Sequence, residues 1–284
     1  MSETIACPAC EGRRVNVVKE WRLGKDHRAV ACHECGLLFV NPQPPPEVLD
    51  AYYAPEGGWQ ASREEKTRPA QSRTKGAAPA MFAALDRYFP ASAPPAGARV
   101  FDFGCGSGTW LNSFHDHGWE TSGLEPCSNE AFVRHKRLTE IPATGDYDLV
   151  IAYHVLEHLP RPLETLRELA KALRPGGYCL VSVPRLDRLS EHGDFKYCLH
   201  RRNHIVAFTE VCLRGLFARA GMGVVATLHD LDERFSQGRP IRMRLLAQKG
   251  APATIDPDPA AALEPVIESY AELRQAAMLR NVAS

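Results

Sequence analysis

Apolar positions along this chain change period several times, and the changes divide it. Val15-Asn-Val-Val-Lys-Glu-Trp21 has the alternating character of a strand. Residues 43 to about 75 hold no sustained pattern. Pro44-Pro45-Pro46 breaks regular structure, Glu47 to Tyr53 has the spacing of a short helix, and Gly57 to Gly76 is polar with few apolar anchors, which predicts a mobile linker. Met81 to Phe89 returns to helical spacing, and Pro94-Pro95 stops it. Strand runs then recur at Arg99–Phe103, Glu120–Leu124, Asp148–Tyr153, Tyr178–Val183, Met222–Leu228 and Ile241–Gln248. Helical runs alternate with them at Thr109–His117, Asn129–Leu138, Leu163–Leu173 and Glu210–Ala220. This alternation predicts an α/β fold, doubly wound around a mostly parallel sheet with both faces covered. From Gly250 the chain is rich in Ala and Pro, then helical in character from Ala261, with no function assigned to it. The predicted units are a small module at 1–42, a linker with a short helix at 43–78, the α/β domain at 79–249 and a tail at 250–284.

Composition narrows the function classes. Apolar residues make up 44% and charged residues 24%, as in soluble globular proteins. Lys+Arg and Asp+Glu balance at 34 each, which argues against binding driven by nucleic-acid phosphate charge. No run approaches the length of a membrane span, and the first residues lack the charged and apolar regions of a secretory signal. A cytoplasmic location is the expectation. Nothing in the sequence speaks to oligomeric state.

The sharpest local signal lies at Arg99-Val-Phe-Asp-Phe-Gly-Cys-Gly-Ser-Gly-Thr109, where an apolar strand runs through Gly104, Gly106 and Gly108 into a helix. Glycines so placed let the backbone turn sharply and approach a ligand without a Cβ between them. Doubly wound folds bind ligands at such strand–turn–helix crossings. The G-x-G-x-G spacing departs from the G-x-G-x-x-G of dinucleotide sites. Asp102 precedes the turn, and Gly123-Leu-Glu125 ends the next strand with a carboxylate suited to ribose hydroxyls.

Taken with Tyr147 to Leu159, Leu173 to Pro184 and Phe208 to Met222, these motifs resemble class I S-adenosylmethionine-dependent methyltransferases over roughly residues 98–248. The resemblance implies a Rossmann-like methyltransferase fold with a seven-stranded type of sheet. It implies that Asp102, Gly104, Gly106 and Gly108 line the methionine and ribose region. By the same likeness Glu125 binds the ribose hydroxyls, while Tyr153 and His154 flank the reactive end of the cofactor. The stretch Leu138 to Asp146 is too short for the family's usual third strand, so no adenine-contacting carboxylate is named.

Methyl transfer from a sulfonium is mainly a matter of alignment, although an oxygen or carbon nucleophile often also needs a base. His154, just past a strand end, is the first candidate; His200 and His204, in Phe195 to His204 with Arg201 and Arg202, are weaker ones. Arg185 and Tyr197 fall near the same rim. Glu157 and His158 read as residues that cap the next helix or order the turn. A quinone-pathway O-methyltransferase pattern holds a metal at the corresponding residues, and His154, Glu157 and His158 are the set that this likeness offers; the metal-free reading ranks above it.

Nine cysteines remain to be explained, and four fall in two pairs: Cys7-Pro-Ala-Cys10 and Cys32-His-Glu-Cys35, with 21 residues between the pairs. Two C-x2-C knuckles at this spacing signal a closed four-thiolate zinc site, structural because no coordination position is left open. Residues 1–42 are thus read as a zinc ribbon, with His33 turned away. No βαβ pattern surrounds either pair, which excludes a thioredoxin-like reading. Cys32 to Tyr53 resembles small-molecule and sugar methyltransferases that carry an N-terminal zinc ribbon. The leading expectation is therefore methyl transfer to O or C of a small-molecule acceptor. An RNA methyltransferase that uses the ribbon for substrate contact is the alternative, and a non-catalytic interaction module is a third.

Overall fold

The computed structural model describes residues 6–23, 26–54, 56–58, 70–128, 130–193, 195–200, 202–228 and 241–282. Residues 59–69 of the expected linker, and Arg201, lie outside the described residues. The N-terminal module is an antiparallel meander of β1 (Val15–Arg22), β2 (Arg28–Cys32) and β3 (Leu38–Asn41). Helix α1 (Pro46–Tyr53) starts on a proline at its first position, where a missing N–H costs nothing. Helix α2 (Ala70–Leu85) begins inside the stretch expected to be linker and ends four residues before Phe89, the limit expected from spacing. Its first turns, Ala70-Gln-Ser-Arg-Thr-Lys-Gly76, are polar, and it tolerates Pro79 internally at the loss of one helix hydrogen bond. Beyond Leu85, Asp86 accepts from Ser92 N at 2.8 Å, which organises a turn instead of further helix.

The second sheet contains β4 (Arg99–Phe103), β5 (Glu120–Leu124), β6 (Lys136–Arg137), β7 (Tyr147–Tyr153), β8 (Leu173–Pro184), β10 (Met222–Thr227) and β11 (Arg242–Lys249). Its order is β10-β11-β8-β7-β4-β5-β6. Only β11 runs against its neighbours, and the other pairings are parallel. This is the Rossmann-like methyltransferase arrangement. Helix α2 and α3 (Thr109–Asp116) cover one face, where Phe82, Leu85 and Phe114 pack on Val100, Leu149 and Ile151. Helices α4 (Pro162–Ala172) and α7 (Glu210–Arg219) cover the other, with Leu166, Leu169, Leu213 and Phe217 against Val150, Val181 and Met243. Between them lie the short helices α5 (Leu189–His192) and α6 (Phe195–Cys198). Helix α8 (Glu264–Val282) closes the described chain.

A helix predicted over Asn129–Leu138 is replaced by a 3₁₀ turn, Glu130–Val133, followed by the two-residue strand β6. Of its apolar residues only Ala131 is buried, and Val133 is 86% exposed, so no helix face had a core to meet. The chain instead pairs Lys136 and Arg137 with Ser122 and Gly123 on the open edge of β5.

The predicted boundary at residue 42 marks no break in packing. Strand β9 (Val206–Ala207), from within the α/β domain, pairs with β3 as the fourth strand of the ribbon sheet. Leu37, Phe39 and Val40 share one apolar core with Leu199, Ile205 and Phe208.

Candidate active site

Strand β4 delivers the glycine turn to the carboxyl edge of the sheet. Gly104 N and Cys105 N both donate to Leu124 O, at 2.8 and 3.2 Å, which ties the turn to the end of β5. Gly104 has φ 75°, and a Cβ there would stand 2.5 Å from Val155 Cγ2. That clash makes glycine necessary and puts the glycine turn directly against the segment after β7. At Gly106, φ 54°, a Cβ would meet nothing within 4 Å, so this face of the turn opens outward. Gly108 is the N-cap of α3. Glu125 is buried and accepts from Gly106 N at 2.8 Å through one oxygen and from Cys127 N at 2.7 Å through the other. Each oxygen keeps a lone pair for a further donor. Asp102 is buried, and its Oδ1 has no hydrogen-bond partner among the described residues. Burial first, and then the charge of Glu125, pushes its carboxyl up to about 8.

At the end of β7, Tyr153 is followed by His154 with φ 57°, an uncommon left-handed conformation for a residue with a side chain. His154 N donates to Ser182 O at 2.8 Å and holds that conformation. Glu157 does not cap the next helix. Its Oε1 lies 2.9 Å from His154 Nδ1, and it is fully buried. Burial acts to raise this carboxyl, but the hydrogen bond from His154 and the charges of the surrounding imidazoles outweigh it and hold it at about 2. An ionised carboxylate can only accept, so His154 donates from Nδ1, and in its neutral form the lone pair is on Nε2. Tyr197 OH is 3.5 Å from that Nε2. On the other side of Tyr153, Arg244 Nη2 donates to its hydroxyl at 2.6 Å.

His158 is set deeper, with Tyr53 OH 2.7 Å and Asn203 O 2.9 Å from its Nδ1. Burial lowers it to about 4, which leaves it neutral near pH 7. Burial also lowers His204, whose Nδ1 bonds Tyr197 O and whose ring meets His158 edge-on at 4.7 Å. Ligand atoms of Glu157, His158 and His204 lie within 4.8 Å of one another. His204, from the chain returning to β9, completes this group where the likeness offered His154, whose Nδ1 faces Glu157. His200 stands apart and bonds Asn203 Oδ1 at 3.0 Å. Arg185 pairs with Asp187 at 3.3 Å and Glu210 at 3.8 Å. Tyr53 was missed from sequence. It ends a short helix with no periodic signal that reveals where its hydroxyl points.

In the N-terminal module Cys7 and Cys35 sulfurs are 3.6 Å apart, as are those of Cys10 and Cys32, and all four lie within 4.8 Å of one another. Gly36 takes φ 71° after the second knuckle, as that tight turn requires. His33 faces Asn16 at 2.5 Å, away from the sulfurs. Four soft thiolate donors at such spacing suit zinc.

A family model described as a methyltransferase domain matches residues 74–227, more than half of the chain. This chain belongs to the methyltransferase-domain family. Ubiquinone biosynthesis O-methyltransferase of Vibrio cholerae is 32% identical over 103 residues, covering 31% of this chain and 42% of the relative. The chain thus matches about two fifths of the length of the curated relatives. Among solved structures, the 1,6-didemethyltoxoflavin-N1-methyltransferase of Burkholderia thailandensis aligns over 81% of this methyltransferase-family chain and 99% of its own, with TM-score 0.52 and 18% identity. Magnesium protoporphyrin IX methyltransferase of Synechocystis aligns over 72% and 99%, also with TM-score 0.52 and 18% identity. These likenesses establish the fold.

Proposed function

We propose that this chain transfers a methyl group from S-adenosylmethionine to an oxygen or carbon of a small molecule, a sugar or a secondary metabolite. The observation that carries the proposal is one edge of the sheet. There a buried carboxylate with an unpartnered oxygen (Asp102), an open glycine face (Gly106) and Glu125 abut the turn bearing His154. Both solved relatives hold S-adenosylhomocysteine, the product form of the cofactor, and are named for small-molecule acceptors.

When bound, the cofactor supplies an electrophilic methyl group on a positively charged sulfur. Asp102 suits the cofactor's ammonium, and Glu125 its ribose hydroxyls. His154 Nε2 takes the acceptor proton, while Glu157 fixes the tautomer and stabilises the imidazolium that results. The four cysteines at Cys7, Cys10, Cys32 and Cys35 hold a structural zinc.

Calorimetry with S-adenosylhomocysteine tests the cofactor side. Glu125→Ala removes charged hydrogen bonds worth about 1.5–3 kcal/mol, roughly a 10- to 100-fold loss of affinity. Unchanged affinity would refute the ribose assignment. A labelled-methyl screen of candidate acceptors tests the rest: His154→Ala should lower turnover about 10²- to 10⁴-fold without weakening S-adenosylhomocysteine binding.

A metal-assisted version is favoured by one observation, the convergence of Glu157, His158 and His204. Two imidazoles and a carboxylate suit a divalent transition ion, which would polarise an acceptor oxygen. Manganese, which thiolate sites bind poorly, is the probe. Electron paramagnetic titration should show one bound ion per chain, lost in His204→Ala; equal binding by both proteins would exclude these ligands.

A further inference from the structure

Helix α8 lies outside the span matched by the methyltransferase family, and its sequence pointed to no role. It is nonetheless anchored, with Leu263, Val266 and Tyr270 buried in the main core. Three surfaces meet along it: strand β1 of the ribbon, the turn Leu186–Arg188 and helix α5. Its approach also crosses a zinc knuckle, since Pro259 O stands 2.5 Å from where a Cβ of Gly36 would be.

The decisive contact is further along. The ring of Tyr270 meets Phe195 edge to face, centroids 5.1 Å apart at 88°. Phe195 opens α6, a four-residue helix that also carries Tyr197. One turn of helix has no stability of its own, so its place must come from what it packs against. Its far end is tied by His204 to Tyr197 O and by β9 to the ribbon. Its near end meets the closing helix.

We propose that the C-terminal helix is a positioning element of the acceptor side, with Tyr270 holding Phe195 and thereby Tyr197 opposite His154. The proposal rests on the reading of His154 as the base that takes the acceptor proton, with Tyr197 OH 3.5 Å from its Nε2. A helix that merely filled the core would stabilise the whole molecule evenly. A positioning helix acts locally, through the contact of the ring at residue 270 with Phe195.

Hydrogen exchange on the full chain, with S-adenosylhomocysteine present, separates these cases. In Tyr270→Ala the amides of 195–204 should exchange at least ~10-fold faster, while β4, β5 and the ribbon strands keep their rates. Tyr270→Phe should restore the protection, and affinity for S-adenosylhomocysteine should stay within about twofold in both variants. Unchanged exchange at 195–204 in Tyr270→Ala would overturn the proposal, as would an even rise across the whole chain. Should Tyr270→Ala not fold, Phe195→Ala removes the same contact from the other side, with the amides of 199–204 as reporters and the same two outcomes. Failure of wild-type protein to bind S-adenosylhomocysteine would count against the methyltransferase reading alone, because exchange is measurable without ligand.

Discussion

Asp102 illustrates how a single side chain can carry a measurable signature of its ligand. Its carboxyl is pushed up to about 8 by burial and by Glu125, so near pH 7 it is largely protonated when no cation is near. A ligand ammonium against it favours the carboxylate. Binding below pH 8 must then expel a proton, and affinity should rise with pH until about 8 and level off above it. Calorimetry of S-adenosylhomocysteine binding at pH 7, in buffers of different ionisation enthalpy, should report release approaching about one proton, absent in Asp102→Asn. Proton release identical in the two proteins would remove Asp102 from the cofactor site. At this scale the sequence is informative where chemistry and spacing coincide: Asp102, the glycines, Glu125 and the four cysteines stand out as candidates, and the structure brings the first group to one sheet edge and the cysteines into one cluster. Tyr53 does not stand out, and Glu157 reads as ordering the turn or capping the helix. A buried carboxylate that orients an imidazole and one that orders a turn look alike in the string Val-Leu-Glu-His-Leu.

Among the elements, legibility followed burial. Strands β4 and β7 lie in the middle of the sheet, and their apolar runs mark them to within one residue, as the run Met222–Leu228 marks β10. Strand β8 starts at Leu173, five residues before the run that predicts it, and the pattern is weakest at the β6 edge. Residues 130–137 have a weak apolar pattern because Ala131 is their one fully buried apolar residue, with Phe132 packed partly beside it, and they serve chiefly to cover β5. Helix α2 was read short because its first turns are polar and its anchors, Met81, Phe82 and Leu85, all fall at its end. The ribbon was legible as a metal knuckle but not as a sheet partner, since a two-residue strand leaves no period to detect. Its zinc should be measurable as about one ion per chain by metal analysis of purified protein. Cys32→Ser should lower that content and loosen the pairing of β3 with β9, read as faster exchange at Val40, whose N–H donates to Ile205 O at 2.9 Å. Full zinc content in Cys32→Ser would contradict the four-thiolate site.

Across the whole molecule the proposed cofactor side and the proposed acceptor side are built from different lengths of chain. The cofactor side is local, made by two adjacent parallel strands and the turns that leave them, and local arrangements can be read from sequence. The acceptor side gathers Tyr53 from after the ribbon, His154 and Glu157 from after β7, and Tyr197 and His204 from the return to β9. Contacts that join residues 53, 158 and 204 depend on the fold as a whole, and no period in the chain encodes them. Among the described residues no helix is long and apolar enough to cross a membrane.

The pairing of β9 with β3 bears on how such a molecule can be taken apart. The strand at Val206–Ala207 is an edge that the N-terminal module covers, and Leu199, Ile205 and Phe208 beside it are buried under the same cover. Trimmed of its first forty residues, the chain would display a raw strand edge flanked by apolar side chains, the kind of surface that invites association with other copies. The cysteine module is therefore no detachable cassette. An exchange of it between relatives would have to carry the returning loop along, and with that loop Tyr197 and His204 beside His154 and His158.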